Sequence, residues 1–372
     1  MTALVGSRPA EAVSAREGCV RLSRALLVVA GASVCSFAFG QVLTEFPLPT
    51  TKPKGSFISP LPVALEMDSH PSGSASNVNG VMDPGESVLV EPTYTNANVF
   101  TDVNFSATAS NFAGPVGANY SIPDSSASYA IPAASVGTCV ECYVMSVDDP
   151  AARPAAHWDA TFDESFLGIC VTTWGVHIGE SFADVAVDDI FYAFIENLFH
   201  NGITAGCGAG NYCPGNAVTR AQMAVLLLRA KHGAAYEPPP CQSLFADVTC
   251  PGPFANWIEQ LAVEEITAGC GSGDYCPNTA VDRRQAAVLL LKTKEGPEYL
   301  PPPATGIFVD VPQSDVFAPW IEELHTRGVT AGCGVSPLLY CPGDPSPRGQ
   351  VAALIVRTFG SKPYKVVSYS CP

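Results

Sequence analysis

The chain has 372 residues, of which 47% are apolar and 15% charged, with a formal net charge of −16. That length allows two or three domains, and that apolar content is too high for a wholly disordered chain. The acidic balance argues against nucleic acid or an anionic lipid surface as partner, because both reward basic proteins.

Residues 1–40 read as a signal peptide. Arg8, Arg16, Arg21 and Arg24 precede an apolar run from Ala25 to Phe39, and Ala38-Phe39-Gly40 offers small residues for cleavage before Gln41. The run is short of the roughly 20 residues that a helical span needs, so no integral membrane span is expected after cleavage. Residues 41–62 carry Pro47, Pro49, Pro53, Pro60 and Pro62 without a hydrophobic period, which predicts an extended Pro-rich linker.

Residues 63–178 predict β structure. Val88, Val90 and Tyr94, then Val103, Phe105 and Ala107, follow a period of two, and Asp83-Pro84-Gly85 and Asn111 to Gly117 supply turns. Six or seven short strands in such a length suggest an immunoglobulin-like (Ig-like) β-sandwich. Asn79 to Glu86 resembles the opening turn of bacterial cell-surface Ig-like modules, and it reads equally as an ordinary acidic turn.

From Ser181 onward the sequence repeats. Phe182-Ala183-Asp184-Val185 recurs at Phe245 and Phe308, and Thr204-Ala205-Gly206-Cys207-Gly208 recurs at Thr267 and Thr330, both every 63 residues. Three units are delimited at 181–236, 241–299 and 304–362. Phe254, Trp257, Ile258 and Leu261 mark one face of a helix, as do Phe191, Phe194, Ile195 and Leu198, and Phe317, Trp320, Ile321 and Leu324. Trp257 and Trp320 fit core packing better than stacking on a sugar. A second helix follows in each unit, capped by Thr219 with Gln222, by Asp282 with Gln285, and by Ser346 with Pro347 at the first helical position.

Twelve cysteines lie beyond residue 40, an even number in an exported chain, which predicts disulfides. The close pairs are Cys207/Cys213, Cys270/Cys276 and Cys333/Cys341, with Cys241/Cys250 as a further loop staple. Cys139, Cys142, Cys170 and Cys371 cannot be paired from sequence. Zinc is disfavoured at the repeat pairs, since five to seven residues separate the cysteines and no histidine accompanies each pair.

Phe-x-Asp-Val, an amphipathic helix, Gly-Ile-Thr-x-Gly, a short loop ending in Pro and Thr-Arg-Ala-Gln opening a second helix resemble the S-layer homology (SLH) repeat. The resemblance spans about residues 181–360. It implies three helical repeats in a pseudo-threefold bundle, with grooves that bind cell-wall polysaccharide, often carrying anionic substituents such as ketal-linked pyruvate. It also implies non-covalent display at the cell surface. Its ligand-contacting arginine corresponds to Arg220, Arg283 and Arg348. Each opens a helix, where backbone N–H groups and a guanidinium can together hold an anion. Ion pairing with Asp184, Asp247 or Asp310 is the structural alternative. The sequence departs from the family at Gln222, Gln285 and Gln350, where an acidic residue is usual, and in its cysteine-bearing loops.

No hydrolase, nucleotide-binding or metalloprotease motif is present. Cys139-Val-Glu-Cys142 has redox-type spacing but lies in strand-like sequence. His157-Trp158-Asp159 and His177 would support an acid–base or metal site only if they converge. The six histidines have no ligand spacing, so no metal or cofactor is expected. Asp148-Asp149 and Asp188-Asp189 read as solvated acidic faces. The expectation is a non-catalytic exported protein of the cell surface, extracellular space or periplasm. The alternatives are a secreted enzyme or ligand-binding protein using residues 63–178, and repeats that serve protein–protein assembly.

Overall fold

The computed structural model describes residues 59–70, 76–362 and 364–372. The expected signal peptide and most of the expected Pro-rich linker lie outside the described residues. Leu61 and Pro62, at the end of that linker, already open the first strand.

Among the described residues nine strands precede the helices: β1 (Leu61–Met67), β2 (Ser87–Thr95), β3 (Val103–Ala113), β4 (Tyr120–Asp124), β5 (Ser126–Ile131), β6 (Val136–Glu141), β7 (Tyr143–Val147), β8 (Asp159–Phe166) and β9 (Cys170–His177). Six helices follow: α1 (Tyr192–His200), α2 (Arg220–His232), α3 (Ala255–Val263), α4 (Arg283–Glu295), α5 (Ala318–Thr326) and α6 (Arg348–Phe359). A two-strand hairpin, β10 (Gly334–Val335) with β11 (Leu338–Leu339), accommodates the extra residues of the third unit. The last strand, β12 (Lys365–Ser370), follows α6.

The β part is an antiparallel sheet of ten connected strands, in the order β12-β9-β8-β3-β5-β6-β2-β7-β4, with β1 on β2. That exceeds the six or seven strands expected. The tenth returns from beyond the helices to pair with β9, and a Cys170–Cys371 disulfide fastens it there. Burial alternates strictly along β2 and nearly so along β8, as period-two patterning requires. Trp158, Trp174, Tyr94, Tyr143 and Phe162 fill the core. Within it Glu164 is fully buried and accepts from the hydroxyls of Tyr94, Tyr129 and Tyr143 and from the Trp174 indole, at 2.5–2.8 Å. A buried carboxylate is tolerable only when its lone pairs are filled in this way.

The helical part closes on itself. α2, α4 and α6 touch one another, while α3 packs on α2, α5 on α4 and α1 on α6. Three backbone hydrogen bonds form a ring among equivalent residues. Val218 N–H donates to Ser346, Ser346 N–H to Val281, and Val281 N–H to Val218, at 2.9–3.0 Å. The predicted apolar faces hold at Ile195, Leu198, Trp257, Ile258, Leu261, Ile321 and Leu324. Their expected first members are N-caps instead: Phe191, Phe254 and Phe317 precede the helices, and Phe254 is 39% exposed.

Buried carboxylates repeat as well. Glu259 accepts the Gln242 and Leu244 N–H groups, Glu322 those of Thr305, Gly306 and Ile307, and Glu196 that of Ser181. Each satisfies the loop that leads into its Phe-x-Asp-Val segment.

The helix starts differ in chemistry. Thr219 completes its capping box with Gln222. Asp282 accepts the Gln285 N–H at 2.8 Å. In the third unit Pro347 is itself the N-cap, and the Ser346 hydroxyl is buried without a partner, so the expected Ser346 cap does not form. Every expected disulfide is present: Cys207–Cys213, Cys241–Cys250, Cys270–Cys276 and Cys333–Cys341. Cys139 pairs with Cys142 across the turn from β6 to β7.

Candidate functional site

Each long helix begins at a junction with a neighbouring unit, and the three predicted arginines sit there. Arg220, Arg283 and Arg348 are 6–8% exposed. Arg220 Nε donates to the Tyr275 carbonyl at 2.8 Å, Arg283 Nε to that of Tyr340 at 2.7 Å, and Arg348 Nε to that of Tyr212 at 2.7 Å. Each tyrosine hydroxyl donates back to the carbonyl of the same arginine, at 2.8–3.2 Å. Each guanidinium also lies 4.7–4.8 Å from the centroid of that tyrosine ring, a cation–π contact. Burial raises the pKa of all three tyrosine hydroxyls, to about 12 at Tyr212 and Tyr275, although the adjacent arginines oppose it, so the three groups remain donors at neutral pH.

The first-turn N–H groups are committed too. Those of Arg220 and Ala221 donate to Thr279 and Pro277, those of Arg283 and Arg284 to Asp344 and Pro342, and those of Arg348 and Gly349 to Asn216 and Pro214. These helix ends therefore use their free donors on the loop of the adjacent unit rather than offering them to an anion. Asp184, Asp247 and Asp310 do not pair with the arginines. They receive the N–H groups of Tyr212 and Cys213, Tyr275 and Cys276, and Tyr340 and Cys341, at 2.7–2.8 Å. The outer guanidinium nitrogens carry the remaining capacity. Arg220 Nη2 reaches Thr267 Oγ1 at 3.4 Å, and Arg283 Nη1 reaches Gln350 Oε1 at 2.7 Å.

A groove of about 390 Å³ opens beside Thr267, lined also by Phe245, Glu265, Ile266 and Lys292. Sequence reasoning missed the tyrosine partners, although the repeated Tyr-Cys-Pro motif was their signal. It also missed Thr267 and Gln350 as the groups the guanidinium tips meet. Trp257 is buried and contributes to the core, with Arg229 at 5.3 Å from its ring.

A second cluster lies in the β part. The six histidines show no ligand spacing along the chain, yet three of them converge here, and the antiparallel register sets Asp159 opposite His177. His157 Nε2 lies 3.0 Å from Asp159 Oδ2, and His177 Nδ1 and His200 Nδ1 each lie 3.0 Å from Asp159 Oδ1. His177 Nε2 meets Glu196 Oε2 at 2.9 Å. Burial works against the Asp159 carboxylate, yet hydrogen bonds from His177 and His200 hold it well below the usual carboxylate range. His200 was not foreseen; it follows Glu196 by one helical turn.

Among the described residues no helix is long and apolar enough to cross a membrane. No curated protein matches the chain significantly. Residues 181–224, which hold the first unit from its Phe-x-Asp-Val segment to the first turn of α2, match the family described as the S-layer homology domain.

Proposed function

We propose that this is a non-catalytic exported surface protein held to cell-wall polysaccharide by three SLH-type repeats in a pseudo-threefold bundle, displaying an Ig-like β module. The observation that carries the reading is the recurrence of one junction three times. The segment that matches the family, 181–224, includes Arg220 near its end, and the arginine–tyrosine exchange made there is repeated at Arg283 and Arg348. Buried backbone contacts hold each guanidinium plane still, which presents its outer nitrogens to a ligand at little entropic cost. An anionic substituent on the polymer would meet these nitrogens and, beside the first junction, Lys292.

The test is co-sedimentation of the full chain with purified cell wall, intact and stripped of its secondary polymer. Binding to intact wall alone supports the reading. A chain that stays in the supernatant with both would overturn it.

A second reading, a ligand-binding or catalytic β part, is favoured by one observation, the convergence of His157, Asp159 and His177.

A further inference from the structure

Four side chains able to ligate a metal meet where β8 begins and β9 ends, beside the last residue of α1, and polymer anchoring uses none of them. One donor atom from each of His157, Asp159, His177 and His200 lies within 4.8 Å of all the others. Several are closer: three imidazole nitrogens stand 3.0 Å from Asp159 oxygens. Ligands on a tetrahedron with bonds of about 2.0–2.1 Å sit roughly 3.3 Å apart, so little movement would place all four around one ion.

Donor counting also calls for one positive charge more than neutral imidazoles supply. A neutral imidazole has one N–H. His177 is fully buried and has a carboxylate oxygen at each ring nitrogen, Asp159 at 3.0 Å and Glu196 at 2.9 Å. With its proton on Nε2 toward Glu196, the Nδ1 lone pair faces the Asp159 oxygen, and that repulsion is relieved by a second proton on the ring or by a metal ion between the two atoms. Glu196 Oε1 is fixed by the Ser181 N–H, so this carboxylate stands firm behind the histidine. A carboxylate behind a ligating imidazole is the arrangement that orients metal-bound histidines. His200 is 6% exposed, and its Nε2 is buried without a partner, so no protein group on that side dictates which nitrogen carries its proton.

We propose that His157, Asp159, His177 and His200 bind one divalent ion of the zinc type, clipping the end of the β sheet to α1. Three imidazole nitrogens and one carboxylate oxygen suit that ion in both softness and number. Four protein donors leave no open position, which makes the site structural rather than catalytic. The His157 and Asp159 side chains, 39% and 42% exposed, leave the ion a path from solvent.

The full chain, stripped by a chelator, is titrated with Zn²⁺ by calorimetry, with metal content measured after desalting and Co²⁺ absorption recorded in parallel. Wild type is expected to retain one ion per chain, to show the intense visible bands of tetrahedral Co²⁺, and to unfold at a higher temperature when loaded. His157→Ala, at a half-exposed position, is expected to fold and to bind at least tenfold more weakly, and Asp159→Asn to lose the tetrahedral bands. No retained metal and no thermal shift in wild type would mean that protons alone hold the cluster together, and would overturn the proposal. Unchanged binding in His157→Ala, with its near-ultraviolet circular dichroism intact, would place the ion elsewhere and overturn it equally.

Discussion

Arg348 and Tyr212 are 136 residues apart and exchange hydrogen bonds in both directions, Arg348 Nε to the Tyr212 carbonyl and the Tyr212 hydroxyl to the Arg348 carbonyl. This pair closes the ring that Arg220 with Tyr275 and Arg283 with Tyr340 begin. Arg348→Lys keeps the charge but loses the Nε donor and the planar stack on the ring. It leaves a buried carbonyl unpaired, and we expect a loss of about 2 kcal/mol in urea unfolding of the oxidised protein. A change near zero would mean that the exchange is dispensable.

Ser346 occupies the central ring position that Val218 and Val281 fill in the other units, and its hydroxyl has no partner. Removing a buried, unsatisfied hydroxyl stabilises a fold. Ser346→Ala should raise the unfolding free energy by about 1 kcal/mol, measurable as a higher denaturant midpoint at constant slope. A lower midpoint would show that the hydroxyl is satisfied.

Glu86 gives a pH dependence. Burial pushes its carboxyl up to about 7, although the N–H groups of Asp83 and Asn77 favour the charged form. Above the ordinary value of 4.5, the unfolded chain has released a proton that the folded chain retains. The folded state therefore binds more protons in this interval, and stability falls as pH rises toward about 7. Unfolding measured at stepped pH should show this decline, and Glu86→Gln should flatten it. An identical slope in the variant would assign the dependence to other groups.

The Cys170–Cys371 bridge joins residues 201 apart in sequence. Replacing both by serine frees the unfolded chain from a long loop closure, at a cost of about 3–4 kcal/mol in stability. The loss should begin locally. Hydrogen exchange is expected to accelerate first in β12 and along β9, whose ladder β12 completes. Unchanged protection in both strands would show that pairing alone holds them.

How much could be read in advance depended on the range of the interaction. The 63-residue register marked the helical units, their apolar faces and their cysteine pairs, since all of these are local. That register singled out Arg220, but the ion-pair partners expected for it are not the observed ones. Its contact crosses 55 residues into the next unit, where spacing within a repeat is silent. The same holds for the first-turn N–H groups, whose acceptors lie on another unit. In the β part, alternation announced β2 and β3, whereas β12 comes after the helices and could not be assigned to the sheet from sequence order. The histidine cluster was illegible for a similar reason: strand register alone brings Asp159 opposite His177, and helix packing adds His200.

The most direct test of polymer anchoring at the junctions is hydrogen–deuterium exchange of the full chain, with and without solubilised cell-wall polymer. The account predicts slowed exchange at 204–208, 267–271 and 330–334 and in the first turns of α2, α4 and α6, with the β strands unchanged. Protection confined to the β sheet, or none at saturating polymer, would contradict it.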